Sequence, residues 1–304
     1  MKIINNKKDA IQELKRISTR TNSENNHKIN SIVEEILQEV KNNGDTAVGK
    51  FTKKFDGFNP DPMQVSENDL KNAWDDIDTN LKHSLEVAHK RIKQFHEKEI
   101  PSSFTIKGEH GDTVQRRWRP VKNAGIYIPG GRAAYPSTVL MNAIPAIVAG
   151  VEEIIMVSPG NKEGKINKTV LAAAHLSGIT KVFRIGGAQA IGALAFGTNQ
   201  INKVDVITGP GNIYVTTAKK LIYGSTGIDS LAGPSEIVII ADETAQSTHI
   251  ASDLLAQAEH DPLASSILLT TSKHQAKEVL EELDKRIDNH PRKEICMQSI
   301  KNWG

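Results

Sequence analysis

A parallel α/β fold is predicted for this chain by three features of its 304 residues. Short Val/Ile-rich runs alternate with Ala-rich helical segments at intervals of roughly thirty residues, the size of a strand-helix-strand unit. Runs such as Glu153-Ile154-Ile155-Met156-Val157 and Ile237-Val238-Ile239-Ile240 are continuously apolar, as in strands buried on both faces. Three of the runs finish in glycine turns that lead straight into a helix.

Up to about Pro120 the sequence is charged and helical in pattern. Ile32, Ile36 and Val40 recur at helical spacing, as do Leu81, Leu85, Ala88 and Ile92. Asn43-Gly44 is a helix stop. Gly57, Pro60 and Pro62 make 55–66 a loop, and Ile100-Pro101-Ser102-Ser103 a second. Beyond Pro120 the predicted strands are 124–128, 153–157, 181–185, 204–208, 237–241 and 266–270. The helices between and after them span 137–148, 168–177, 188–196, 213–223, 247–258 and 274–287. No internal repeat and no low-complexity tract interrupts the alternation.

The length exceeds what a single core usually fills, so two domains are expected. With 38 Lys+Arg against 36 Asp+Glu the net charge is only +2, which implies no polyanionic partner. The one basic run, Arg116-Arg117-Trp118-Arg119, reads as a solvated strand edge rather than a nucleic-acid patch. The greasiest stretch, 139–151, contains Asn142 and Pro145 and runs into Glu152 and Glu153, so no membrane span is expected. A single cysteine, Cys296, precludes an internal disulfide, and the opening residues lack a secretory apolar core; a reducing, cytoplasmic location is expected.

In an open parallel sheet, ligands sit beyond the carboxyl ends of the strands. There the sequence places Pro129-Gly130-Gly131, Gly186-Gly187 and Gly209-Pro210-Gly211, each ahead of a helix, an arrangement that brings backbone amides up to a phosphate. The usual fingerprints are not met: Tyr214 stands where the last glycine of GxGxxG belongs, and the glycines from Gly160 to Gly164 are wrongly spaced for a phosphate loop. A second constellation is Gln257-Ala258-Glu259-His260, in which Gln257 and His260 are one helical turn apart and could share a cation. Two ligands do not complete a zinc site, which takes about four. A lone histidine at a helix end is more often a partner of the helix dipole, and His175 and His249 read as packed or surface residues. Cys296, in a charged helical context, reads as an ordinary helix thiol rather than a nucleophile.

The stretch Ile228-Asp229-Ser230-Leu231-Ala232-Gly233-Pro234-Ser235-Glu236, continuing through Asp242, Ala251, Asp253 and Leu254 to Gln257, Glu259 and His260, closely resembles the long signature of histidinol dehydrogenases. Gly125-Ile126-Tyr127-Ile128-Pro129-Gly130-Gly131, Gly186-Gly187-Ala188-Gln189 and Gly209-Pro210-Gly211-Asn212 resemble further blocks of that family. The resemblance implies two incomplete Rossmann-like parallel-sheet domains, similar to aldehyde dehydrogenases. The arrangement implied is an arm over 1–20, a first domain of 21–120 with 236–304, and a second, NAD-binding domain of 121–235. It further implies a cytoplasmic homodimer that oxidises L-histidinol to L-histidine through the aldehyde, with two NAD and a zinc ion that anchors substrate. By motif, Tyr127, Gln189 and Asn212 would contact NAD, Ser235 the substrate, and Gln257 and His260 both substrate and metal.

The family's adjacent glutamate and histidine, which do the acid/base work, are expected beyond Gly304, as are two further metal ligands and much of the dimer contact. No catalytic residue is therefore assigned within these 304 residues, and poor activity of the chain alone is expected, since a placed base contributes about two to four orders of magnitude in rate. The alternative is a catalytically silent fragment that retains nucleotide binding.

Overall fold

A computed structural model describes residues 1–19, 25–130, 134–231 and 235–304. The chain divides into two compact units, one of 27–231 and one of 1–26 with 232–304. The elements begin with α1 (Lys7–Ser18), α2 (Asn25–Asp56), α3 (Glu67–Asp76) and α4 (Thr79–His96), followed by β1 (Phe104–Lys107) and β2 (Thr113–Arg116). An alternating series follows: β3 (Asn123–Tyr127), α5 (Pro136–Ala149), β4 (Glu153–Val157), α6 (Lys168–Leu176), β5 (Lys181–Phe183), α7 (Gly187–Phe196), β6 (Val206–Thr208), α8 (Ile213–Ile222) and β7 (Gly227–Ile228). The chain ends with β8 (Glu236–Ala241), α9 (Ser247–Ala258), β9 (Ser265–Thr270), α10 (Lys273–Asp288) and α11 (Lys293–Trp303).

In the unit 27–231, five strands form a parallel sheet in the order β5-β4-β3-β6-β7. Successive side chains of a strand point to opposite faces, and here each face has its own core. Ile155, Val157 and Phe183 pack with Val33 and Val40 of α2, Leu194 of α7 and Val215 of α8. Ile126, Met156 and Val182 pack on the other side with Leu70 of α3, Leu85 of α4, Leu140 of α5 and Val170 of α6. Two covered faces are why Glu153–Val157 reads as a continuous apolar run. Each such side chain, once enclosed, contributes about 1.5–3 kcal/mol relative to exposure. The same packing puts 27–120 in one unit with 121–231, where the sequence grouping had joined 21–120 to 236–304: α2, α3 and α4 supply the layers that cover this sheet.

Helix ends follow local chemistry. Gly44 interrupts α2 with φ 50 and ψ −130, as the Asn43-Gly44 stop predicts, after which helical residues resume and run to Asp56. Helix α5 starts on Pro136, whose missing N–H is no loss in a first turn, and ends on the left-handed Gly150 at φ 85. The β1–β2 pair is an antiparallel hairpin, exposed along both strands, that hydrophobic periodicity missed because it buries no face.

In the unit 1–26 with 232–304, β8 and β9 pair in parallel, and α9, α10 and α11 build a core from Ile250, Leu254, Val279, Leu283, Cys296 and Ile300. Burial of β8 on both faces, expected from its continuous apolar run, does not hold within this unit. Ile237 and Ile239 pack against the core, whereas Ile240 is 82% exposed, because the three helices cover a single face. Among the described residues, no helix is long and apolar enough to cross a membrane.

Candidate functional site

The order of the five-stranded sheet locates a site before any side chain is considered. From β3 the chain moves outward through β4 to β5, then returns across the sheet to place β6 on the other side of β3. The strand order therefore reverses between β3 and β6, and ligands of open α/β sheets bind in the crevice outside the carboxyl ends at such a switch point. A cavity of about 650 Å³ lies there.

Its floor comes from the strand ends. Tyr127 ends β3 and Pro129 and Gly130 follow it, Pro159 and Gly160 follow β4, Gly187 to Gln189 open α7, and Asn212 and Tyr214 open α8. One wall is α2, through Ile32, Glu35, Ile36 and Lys54 to Asp56. Two glycines allow this convergence. Gly209 has φ 114, and a Cβ on it would land on the Tyr127 carbonyl oxygen; a Cβ on Gly186 would sit 2.6 Å from Pro159.

Several polar groups around the cavity keep donors or acceptors uncommitted. Tyr127 is buried, and its hydroxyl oxygen accepts the Gly187 N–H at 3.2 Å, which leaves its own O–H as a donor. Burial pushes this phenol up to about 12, with Asp56 adding to the shift against the lowering by Gly187, so it stays protonated at physiological pH. Asn212 caps α8, its carbonyl oxygen accepting from Tyr214 N at 3.1 Å and Val215 N at 3.2 Å, which leaves its amide hydrogens uncommitted by the cap. The N-cap residue of α7, Gly186, has no side chain to cap the helix, and of its first N–H groups that of Gly187 is taken by Tyr127. Gln189 is 1% exposed, and both polar atoms of its side chain are buried with no hydrogen-bond partner. Asp56 presents a second such orphan, one carboxylate oxygen, and burial raises its pKa to about 6. Buried polar groups are nearly always paired, so orphans of this kind mark places where a ligand or water belongs.

Tyr127, Gln189 and Asn212, singled out from the sequence, thus line one cavity. Asp56 was not singled out: it ends a helix in the charged N-terminal third, and nothing in its spacing distinguishes it from the other acids there. Gly131, part of the first glycine turn, and Ala232-Gly233-Pro234, part of the signature, lie outside the described residues.

In the other unit, Gln257 sits in the last turn of α9 and His260 follows its C-cap Glu259, with His260 N donating to Gln257 O at 3.2 Å. Gln257 is half-buried with an unpaired amide nitrogen, while His260 and Ser235 are exposed. Glu259 turns away to His290, at 3.3 Å, whose other ring nitrogen is 3.5 Å from the Cys296 sulfur. Cys296 is buried in the core, and burial first, then Glu259, raises its thiol pKa, the opposite of an activated nucleophile. His249 is exposed and His175 lies half-buried beside Trp74. Among the described residues, no group of three His, Cys, Asp or Glu is placed to hold a metal ion.

The profile of the histidinol dehydrogenase family matches residues 19–304. The chain belongs to the histidinol dehydrogenase family. It is 91% identical to histidinol dehydrogenase of Prochlorococcus marinus (strain MIT 9312), over all of this chain and 69% of that protein. It is 52% identical to that of Parasynechococcus marenigrum (strain WH8102), covering 70% of it. The crystal structure of histidinol dehydrogenase from Elizabethkingia anophelis superposes with a TM-score of 0.83 at 39% identity, over 89% of this chain and 63% of that one. The chain thus spans about 70% of the length of the curated relatives it matches. Histidinol dehydrogenases are NAD-dependent oxidoreductases, and the glycine-lined cavity at the strand-order switch agrees with that membership.

Proposed function

We propose that this cavity binds NAD and that the protein takes part in oxidation of L-histidinol to L-histidine through the aldehyde. The observation that carries the proposal is the meeting of Tyr127, Gln189 and Asn212 at the switch point, with both polar atoms of Gln189 buried and unpaired. Those orphaned atoms fit a cofactor rich in donors and acceptors. The α7 N-terminus, reached over glycines and with no side chain on its N-cap Gly186, suits its diphosphate. When bound, NAD supplies the hydride acceptor. The Tyr127 O–H and the Asn212 amide donate to the cofactor, and Gln189 can both donate and accept.

Ser235, Gln257 and His260 are proposed to bind substrate, on the strength of the signature they occupy. Zinc belongs to the same proposal, with Gln257 and His260 as its ligands on this chain. These two donors alone do not fit the ion, which takes about four ligands, so no step is derived through it. The proton that leaves the substrate hydroxyl needs a placed base, and we assign none of residues 1–304 to that role. A homodimer, formed when the family's C-terminal part is present, and a reducing cytoplasm complete the proposal; the single, buried cysteine is compatible with that compartment.

Quenching of protein fluorescence by NADH tests the cofactor assignment. Saturable binding, weakened at least tenfold by Gln189→Ala, is expected. Absent binding, or binding that Gln189→Ala leaves unchanged, contradicts it. The accompanying turnover assay separates a working oxidoreductase from a nucleotide-binding fragment: NADH formation from L-histidinol at ordinary enzyme rates excludes the latter.

A further inference from the structure

Among the described residues Asp56 is the one acid that borders the cavity with an orphaned oxygen, and it enters from α2 rather than from a strand end. Among the described residues it makes no ion pair. Lys54, on the same wall, lies over the Phe55 ring with its nitrogen 5.3 Å from the centroid. A buried carboxylate oxygen without a donor is costly, by about 1–3 kcal/mol or more for a charged group, so its retention in a ligand cavity asks which ligand group would satisfy it.

The parts of a dinucleotide differ sharply in what they offer. Phosphates are anions and repel a carboxylate. The adenine amino group and the nicotinamide amide each present donors from a single nitrogen. A ribose presents two neighbouring hydroxyl donors, which match the two oxygens of one carboxylate. Every phosphate in the cofactor is followed by a ribose, so a diol acceptor belongs close to the diphosphate. Asp56 is close enough to Tyr127 to perturb its hydroxyl, and that hydroxyl takes the first N–H of α7, where the diphosphate is proposed.

Resting on the NAD assignment above, we propose that Asp56 accepts the 2′- and 3′-hydroxyls of the adenosine ribose and thereby selects NAD over its 2′-phosphorylated form. A 2′-phosphate removes one donor and sets a dianion against the carboxylate, with Glu35 of the same wall adding to the repulsion. The selection device of dinucleotide folds, an acid on the ribose, is thus supplied here by a helix end outside the sheet. Burial holds the Asp56 pKa up at about 6 in the absence of donors, consistent with a carboxyl whose partners arrive with the ligand.

The test is fluorescence titration of the whole chain with NADH and NADPH at pH 7.5, for the native protein, Asp56→Asn, Asp56→Ser and Gln189→Ala. Native protein is expected to bind NADH at least tenfold more tightly than NADPH. Asp56→Asn and Asp56→Ser should weaken NADH by about ten- to a hundredfold, the loss of hydrogen bonds to a charged group, and bring the two cofactors within about threefold of each other. Displacement of NADH by ADP and by 2′-deoxy-ADP gives a second readout: native protein should prefer ADP, and both variants should lose the preference. If Gln189→Ala weakens NADH but the Asp56 variants keep native affinity and cofactor ratio, the ribose role is overturned and the NAD site stands. If native protein binds no NADH, or Gln189→Ala binds as native does, both fall.

Discussion

Lys219 and Asp229 close an ion pair around the backbone of Gly209. The buried Lys219 ammonium donates to the Gly209 carbonyl oxygen at 3.0 Å, while the Asp229 carboxylate accepts the Gly209 N–H at 2.8 Å and pairs with Lys219. Both polar groups of one glycine are thereby fixed, and that glycine begins the turn that delivers Asn212 to the cavity. Removing one partner strands the other. Lys219→Met is expected to cost roughly 2–4 kcal/mol in urea unfolding, at the low end of the range for buried pairs because Asp229 is a third exposed. Asp229→Asn should cost a similar amount, and the double variant clearly less than the sum. Additive losses would show that the two residues act independently.

Gly209 and Gly178 both have positive φ, at 114 and 72, but differ in what surrounds them. A side chain on Gly178 meets open space, so Gly178→Ala should cost only the backbone strain, about 1 kcal/mol. Gly209→Ala drives a methyl group onto the Tyr127 carbonyl and should cost several times as much, or prevent folding. Equal melting temperatures for the two variants would contradict the close approach of β3 and β6.

Asp56 should leave a signature in stability against pH. Its folded pKa of about 6 lies above the ordinary carboxylate value, so the fold prefers the protonated form. Its contribution is most favourable below about pH 4 and is lost as pH rises through about 6. Glu35 and Lys54 from α2, Tyr127 from β3 and Tyr214 from α8 share the cavity, so the effect is read as a difference between native protein and Asp56→Asn. The variant should gain relative stability, on the order of 1 kcal/mol after allowing for solvent screening, between pH 4 and pH 7. A difference that does not change with pH contradicts the shift.

Cys296 should be silent toward thiol reagents in the folded protein. It lies in the core among α9, α10 and α11, beside His290, and its thiol is held protonated by burial. Ellman's reagent is expected to react at the rate of unfolding and promptly in denaturant. Fast labelling of native protein would reopen a nucleophilic role.

The sequence foretold most of the alternation because the sheet of the larger unit is buried on both faces, so its strands are written as unbroken apolar runs such as Glu153–Val157. Where a face stays open the same logic failed: Ile240 belongs to an equally apolar run yet is exposed. The hairpin β1–β2 was invisible because neither strand contributes to a core. Tyr127, Gln189 and Asn212 were legible through the glycine turns beside them. Asp56 was not legible because what sets it apart is its place on the wall of the cavity, and Lys219 and Asp229 because they act through contacts that only the folded sheet creates.

The location of the cofactor can be read directly by amide hydrogen exchange on the 304-residue protein with and without saturating NADH. Protection is expected in the segments 127–130, 186–190 and 209–215, which line the switch-point cavity, together with 54–57 at the end of α2. Binding of NADH without added protection in these segments, or with protection confined to other parts of the chain, would contradict a nucleotide site at the strand-order switch between β3 and β6.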